Sequence, residues 1–176
     1  MISREFTGFN GLTLKSDCFG DPGSKQCILL AHGGGQTRHA WQSTAKQVAA
    51  QGHYAVALDL RGHGDSDWAP DGDYSIDAFA NDLLLVSVQL SSRPILIGAS
   101  LGGIAAMIAA GEIDQTAFSA VIFVDITPTM EPAGVEKVAT AGTGIQHLFR
   151  APCVHLPVAI QADYVKPSKR SRYDNC

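Results

Sequence analysis

A serine hydroxyl becomes a useful nucleophile only when it is pushed out of the packed chain toward a base. Gly98-Ala99-Ser100-Leu101-Gly102 is a sequence suited to that task. An apolar run, Ile95-Leu96-Ile97, precedes it, and a run of small residues, 104–110, follows. A sharp turn from a buried strand into a helix exposes the hydroxyl, and small residues on either side let the backbone bend. The helix then points its N-terminal amides at the place where an oxyanion would form. The five-residue pattern occurs often by chance, so its weight comes from the strand before it and the helix after it.

A second apolar run, Cys27-Ile28-Leu29-Leu30-Ala31, ends in His32-Gly33-Gly34-Gly35. Glycines after a strand let backbone N–H groups turn toward a ligand, which is how the other half of an oxyanion hole is built. Between the two motifs lies Ala55-Val56-Ala57-Leu58-Asp59-Leu60-Arg61-Gly62-His63-Gly64-Asp65-Ser66. Neither glycine cluster suits a nucleotide. Gly102-Gly103-Ile104 lacks the lysine and hydroxyl of a phosphate-cradling loop, and the 32–38 segment lacks the third glycine of the dinucleotide fingerprint.

These motifs need elements to position them, and the chain supplies an alternation. Segments 6–8 and 12–16 flank Asn10-Gly11, which predicts a hairpin with a two-residue turn. Residues 27–31 form an apolar run of the kind that is buried on both faces of a sheet. Residues 41–50 read as a helix ending near Gly52, and 54–60 as the next strand. Ser75 can cap a helix running to about Leu90, with Ile76, Phe79, Leu83, Val86 and Leu90 on one buried face. Residues 94–99 form a strand, 101–110 a helix and 120–126 a strand. Strands alternating with helices after an opening hairpin give an α/β fold, a mostly parallel sheet with helices on both sides.

Bulk properties fit one globular domain with a real core. Apolar residues make up 45% of the 176 and charged residues 17%, which excludes a disordered chain. A net charge of −4 gives no reason to expect nucleic acid. No run reaches the roughly 18 apolar residues of a membrane span, and residues 1–6 carry no signal-peptide pattern. Cys18, Cys27, Cys153 and Cys176 show no metal-like pairing and read as thiols of a cytoplasmic protein.

The three motifs, in this order and spacing, resemble the α/β-hydrolase superfamily, closest to its esterase, carbon–carbon hydrolase and cofactor-free haloperoxidase branch. The resemblance covers roughly residues 5–138. It implies Ser100 as nucleophile, with the backbone N–H of Leu101 and that of Gly34, or else Gly35, as oxyanion donors. It implies a structural role for His32, which would hold its loop by hydrogen bonds. Asp59, Arg61 and His63 read as turn residues, His39 and His53 as surface residues, and Trp41 as helix packing or pocket wall. A serine at position 100 argues against the family's epoxide hydrolases and dehalogenases, which place aspartate there.

The family's order is serine, then acid, then histidine, and downstream of Ser100 the only histidines are His147 and His155. Three readings of the C-terminal part stand. Asp125 supplies the acid and His147 or His155 the base. Alternatively, residues 156–163 are the strand that delivers the acid as Asp163, which leaves no histidine after it. In the third, residues 139–176 are foreign to the fold, as a truncated gene or shifted frame would make them. Charge favours the third: residues 1–139 carry 8 Lys and Arg against 15 Asp and Glu, whereas 140–176 carry 5 against 2. Periodicity is also lost there, with Gly142, Gly144, Pro152, Pro157 and Pro167 scattered through the segment.

The expected organisation is therefore residues 1–138 as the N-terminal part of a hydrolase domain lacking the lid and last two strands, and 139–176 as an atypical tail. The resemblance implies acyl transfer from a small-molecule ester or activated carbonyl, with no metal or organic cofactor. A catalytically inactive remnant, or a ligand-binding module of the same fold, is the alternative. A sheet stopped at its sixth strand is expected to self-associate through its open edge.

Overall fold

The structure, a computed structural model, describes residues 1–126. The chain opens with strands β1 (Ile2–Thr7) and β2 (Thr13–Phe19), then alternates β3 (Cys27–Ala31), α1 (Gln42–Ala50), β4 (Tyr54–Leu58), α2 (Ile76–Val88), β5 (Ile95–Ala99), α3 (Leu101–Ile108) and β6 (Ala120–Val124). The strands form one sheet in the order β1-β2-β4-β3-β5-β6. The pairings among β3, β4, β5 and β6 are parallel, and those of β1 and β2 antiparallel. The sheet is thus mixed and flanked by helices, as the alternation predicts.

Burial explains the apolar runs. Every residue of β3 and β4 is buried, because helices cover both faces of these central strands. On one face Leu29, Val56 and Leu58 join Phe79, Leu83 and Val86 of α2 and Ala105 and Ala106 of α3. On the other, Ile28, Leu30, Ala55 and Ala57 pack with Ala45 of α1, and Trp41 and Val48 close over them. Trp41 is therefore helix packing. Ser75 caps α2 as expected, its hydroxyl accepting from the Ala78 N–H at 3.3 Å. Phe79, Leu83 and Val86 are the buried stripe, while Ile76 and Leu90 sit half-buried at its ends.

Four local expectations are corrected. The β1–β2 connection is not a two-residue turn: Thr7 pairs with Thr13, and residues 8–12 form the loop. Asn10 and Gly11 do adopt positive φ (59° and 78°), as their types favour. The loop is longer because the Phe9 N–H is taken by the Asp82 carboxylate of α2 at 2.7 Å, which winds 9–11 into a 3₁₀ turn. Strand β4 ends at Leu58 rather than Leu60, where its neighbour β3 ends at Ala31. Strand β6 ends at Val124 rather than 126, because Asp125 turns to φ 54°. Helix α3 loosens after Ile108 into a π turn over Ala109–Ile113. Cys18 and Cys27 are buried free thiols, and burial pushes the Cys27 thiol up to about 12. Cys153, Cys176 and the expected tail 139–176 lie outside the described residues.

Candidate active site

Ser100 stands at the C-terminal end of β5, exposed, with φ 45° and ψ −110°. A non-glycine residue held there carries backbone strain, which persists only where the surroundings enforce it. The enforcement is visible. A Cβ on Gly98 would lie 2.5 Å from the Gly102 carbonyl oxygen, and one on Gly102 would lie 2.6 Å from that of Ala31. Strand, turn and helix approach so closely that only hydrogen fits at these two positions. The Gly102 N–H donates to the His32 carbonyl at 3.2 Å, which ties the turn to the loop after β3. The Ser100 N–H donates to the Val124 carbonyl at 3.3 Å, which ties it to β6.

That loop lies against the serine. A Cβ on Gly33 would be 3.5 Å from the Ser100 Cβ, and one on Gly34 would be 3.9 Å from the Leu101 side chain. Gly34 and Leu101, the two amides picked from sequence as oxyanion donors, are thus neighbours. Among the described residues neither N–H has an acceptor. Gly35 is a different case. Its N–H donates to His63 Nε2 at 3.2 Å, so this amide is engaged and Gly34 is the one left over.

His32 has the structural role that its resemblance implies. It is fully buried; its Nε2 accepts from the Leu60 N–H at 3.1 Å, and its Nδ1–H donates to the Gly33 carbonyl at 2.8 Å. Burial pushes the ring below the ordinary histidine value, so it is neutral. Asp59, also fully buried, accepts from the Arg38 N–H at 2.6 Å, the Arg38 guanidinium and the Asp65 N–H at 3.0 Å. It organises the turn after β4, as expected.

Arg61 does more than hold a turn. It is fully buried and grips Asp82 of α2 with two bonds, Nε to Oδ2 at 2.6 Å and Nη2 to Oδ1 at 2.8 Å. Asp82, which sequence reading did not single out, lies 21 residues away, and no local pattern signals the pair. His63 sits in the expected turn, and its contact with Gly35, 28 residues distant, has no local sequence signal either.

Asp125 directly follows Val124, which pairs with Ala99, so it sits opposite Ser100 in the β5–β6 register. It is exposed. His147, His155 and Asp163 lie outside the described residues. The histidines that are described do not offer a base. Both ring nitrogens of His32 and of His63 are engaged. His39 is on the surface, 3.8 Å from the Asp17 carboxylate. His53 precedes β4, at the end of the sheet opposite to Ser100. Among the described residues no cluster of His, Cys, Asp and Glu is arranged to hold a metal ion, and no helix is long and apolar enough to cross a membrane.

Comparison with known proteins decides the family. The sequence profile of the alpha/beta hydrolase fold matches residues 26–150, most of the chain. The chain belongs to the α/β-hydrolase fold family. It is similar to an esterase of Mycobacterium tuberculosis, 34% identical over 108 residues that make up 61% of this chain and 35% of that protein. It is similar also to a non-heme chloroperoxidase of Kitasatospora aureofaciens, 37% identical over 84 residues, 47% of this chain and 30% of the other. Among solved structures, an α/β hydrolase of Novosphingobium aromaticivorans superposes with a TM-score of 0.68 at 26% identity, covering 79% of this chain and 49% of that one. The matches thus span about a third of the curated relatives and half of the solved hydrolase. The α/β-hydrolase core carries the glycine loop and the serine turn on adjacent parallel strands, β3 and β5.

Proposed function

We propose that this α/β-hydrolase chain is a serine hydrolase acting by acyl transfer on an ester-like or otherwise activated carbonyl. The observation that carries the reading is the strained, exposed Ser100 between β5 and α3, beside two amides without acceptors among the described residues. Strain held by backbone contacts at Gly98 and Gly102 supports a role for that serine beyond packing. The name of the mycobacterial relative, an esterase, supports the ester class.

In this reading Ser100 Oγ attacks the carbonyl carbon and passes its proton to a histidine. The developing oxyanion accepts from the Leu101 and Gly34 N–H groups. Collapse of the tetrahedral species expels the alcohol, which takes the proton back, and leaves an acyl-serine. Water, deprotonated by the same histidine, then releases the acid. With the described histidines engaged or misplaced, the base of this reading is His147 or His155, which requires that residues 139–176 belong to the fold, and Asp125 is the acid that would orient it. The shift of charge and loss of periodicity after residue 139 is the observation on the side of the inactive-module alternative, and the esterase relative weighs against it.

The test is labelling of the full chain with a fluorophosphonate probe beside Ser100→Ala. Labelling that disappears with the serine supports the proposal. His147→Ala and His155→Ala then identify the base, whose loss should slow labelling by about 10²-fold or more. A chain that melts cooperatively yet never labels would overturn the catalytic reading and leave a binding module.

A further inference from the structure

The glycine turn after β3 has four N–H groups, and three of them are occupied. The Gly33 N–H donates to the Gln36 side-chain oxygen at 3.0 Å, and the Gln36 N–H donates to the Gly33 carbonyl at 3.1 Å. The Gly35 N–H donates to His63 Nε2 at 3.2 Å. Gly34 alone has no acceptor among the described residues.

Gly35 is the loosest point of this turn. It is exposed, its φ is 72°, and a Cβ built on it would meet nothing within 4 Å. No packing therefore holds it, and glycine has the widest choice of backbone conformations. Beyond the Gly33–Gln36 bonds that close the turn, the bond to His63 is the restraint on Gly35 itself. His63 in turn is fixed: its Nδ1–H donates to the Arg61 carbonyl at 2.9 Å, which leaves Nε2 unprotonated and able to accept. Its ring lies 5.1 Å from that of His32 and meets Phe79 edge-on at 6.4 Å. Arg61, behind it, is locked by Asp82 and by the Asp73 carbonyl.

We infer that His63 is a positioning residue for the oxyanion loop. By taking the Gly35 N–H it fixes the turn with the Gly34 N–H reserved for the reacting carbonyl. The inference rests on the acyl-transfer reading above and adds a residue to it. His63 touches neither substrate nor Ser100 in this account; it acts through Gly35. Without it the glycine turn samples other conformations, and the Gly34 N–H is no longer held on the oxyanion. A misplacement of about 1 Å can cost on the order of 10² in rate. The substrate's ground-state contacts are untouched, so the loss should fall on kcat.

The experiment compares wild type, His63→Ala and His63→Gln in the full chain, with 4-nitrophenyl acetate as substrate. Glutamine can place an oxygen near the position of Nε2 and accept the same N–H. The expected result is a roughly ten- to hundredfold fall in kcat for the alanine variant at unchanged KM, with glutamine restoring most of it. Hydrogen exchange at the Gly35 amide reads the clamp independently of activity. It should be slow in wild type and the glutamine variant and fast in the alanine variant. An alanine variant with wild-type kcat would overturn the inference, as would a glutamine variant that melts normally and regains nothing. If wild type itself is inert, the acyl-transfer reading fails, whereas the exchange pattern still decides whether His63 holds Gly35.

Discussion

At the scale of single residues, Ser100 shows a side chain kept where the backbone resists it. Its φ of 45° with ψ −110° is a conformation that glycine enters without penalty and serine does not. Strain of this kind costs of order 1–3 kcal/mol, against about 0.5–1 kcal/mol of extra unfolded-state entropy for glycine. Ser100→Gly should therefore be at least as stable as wild type, with a melting temperature about 2–4 °C higher if the net gain is near 1 kcal/mol. It should also lose fluorophosphonate labelling completely. A calorimetric scan checks the first part, and a variant melting well below wild type would mean that the hydroxyl stabilises the turn. Stability and chemistry pull in opposite directions at this position, which is what a serine selected for reactivity would show.

At the scale of elements, Asp82 joins three parts of the chain that sequence separates widely. From α2 it receives the Phe9 N–H of the β1–β2 loop at 2.7 Å and both bonds from Arg61 in the turn after β4. A Cβ on Gly8 would lie 2.6 Å from the Asp82 oxygen, so a larger residue there would have to displace this pair. Removing one member of a buried pair leaves the other charged and unpaired, which costs about 3–5 kcal/mol. Asp82→Ala should thus lower the melting temperature sharply. Replacing Asp82 and Arg61 together by apolar residues of similar volume should recover much of that loss, because no lone charge remains. A double variant as unstable as Asp82→Ala would show that the Phe9 bond, not the charge, dominates. Arg61 also supplies the carbonyl that orients His63, so this pair anchors the wall behind the glycine turn.

At the scale of the whole molecule, what could be read in advance was what is encoded locally. The strands from Cys27, Tyr54, Ile95 and Ala120, the Ser75 cap and the Gly98–Gly102 turn each rest on neighbours in sequence and are present where the pattern places them, although β4 and β6 end earlier than expected. What escaped depends on contacts across the fold: Asp82 stretching the first turn, Arg61 pairing with α2, and His63 taking the Gly35 N–H.

The two flanks of the sheet also differ in a way that strand patterns alone could suggest but not weigh. Strand β1 guards its flank with charge, carrying Arg4 and Glu5, the latter paired with Lys15. Strand β6 reads Ala-Val-Ile-Phe-Val, carries no charge, and among the described residues pairs on one side only. Val121 and Phe123 pack on the core, while Val124 is exposed. An uncharged, apolar strand that pairs on one side only among the described residues is of the kind that templates pairing with another chain. We propose that this chain self-associates through β6, so that light scattering should show a mass rising with concentration. Val124→Lys should reduce that mass toward the monomer with little change in melting temperature, since more than a third of the residue is already exposed. A monodisperse monomer at every concentration would overturn the proposal. Association unchanged by the lysine would move the contact away from β6, to a surface such as that carrying Val88, the more exposed of the two exposed large hydrophobics of α2.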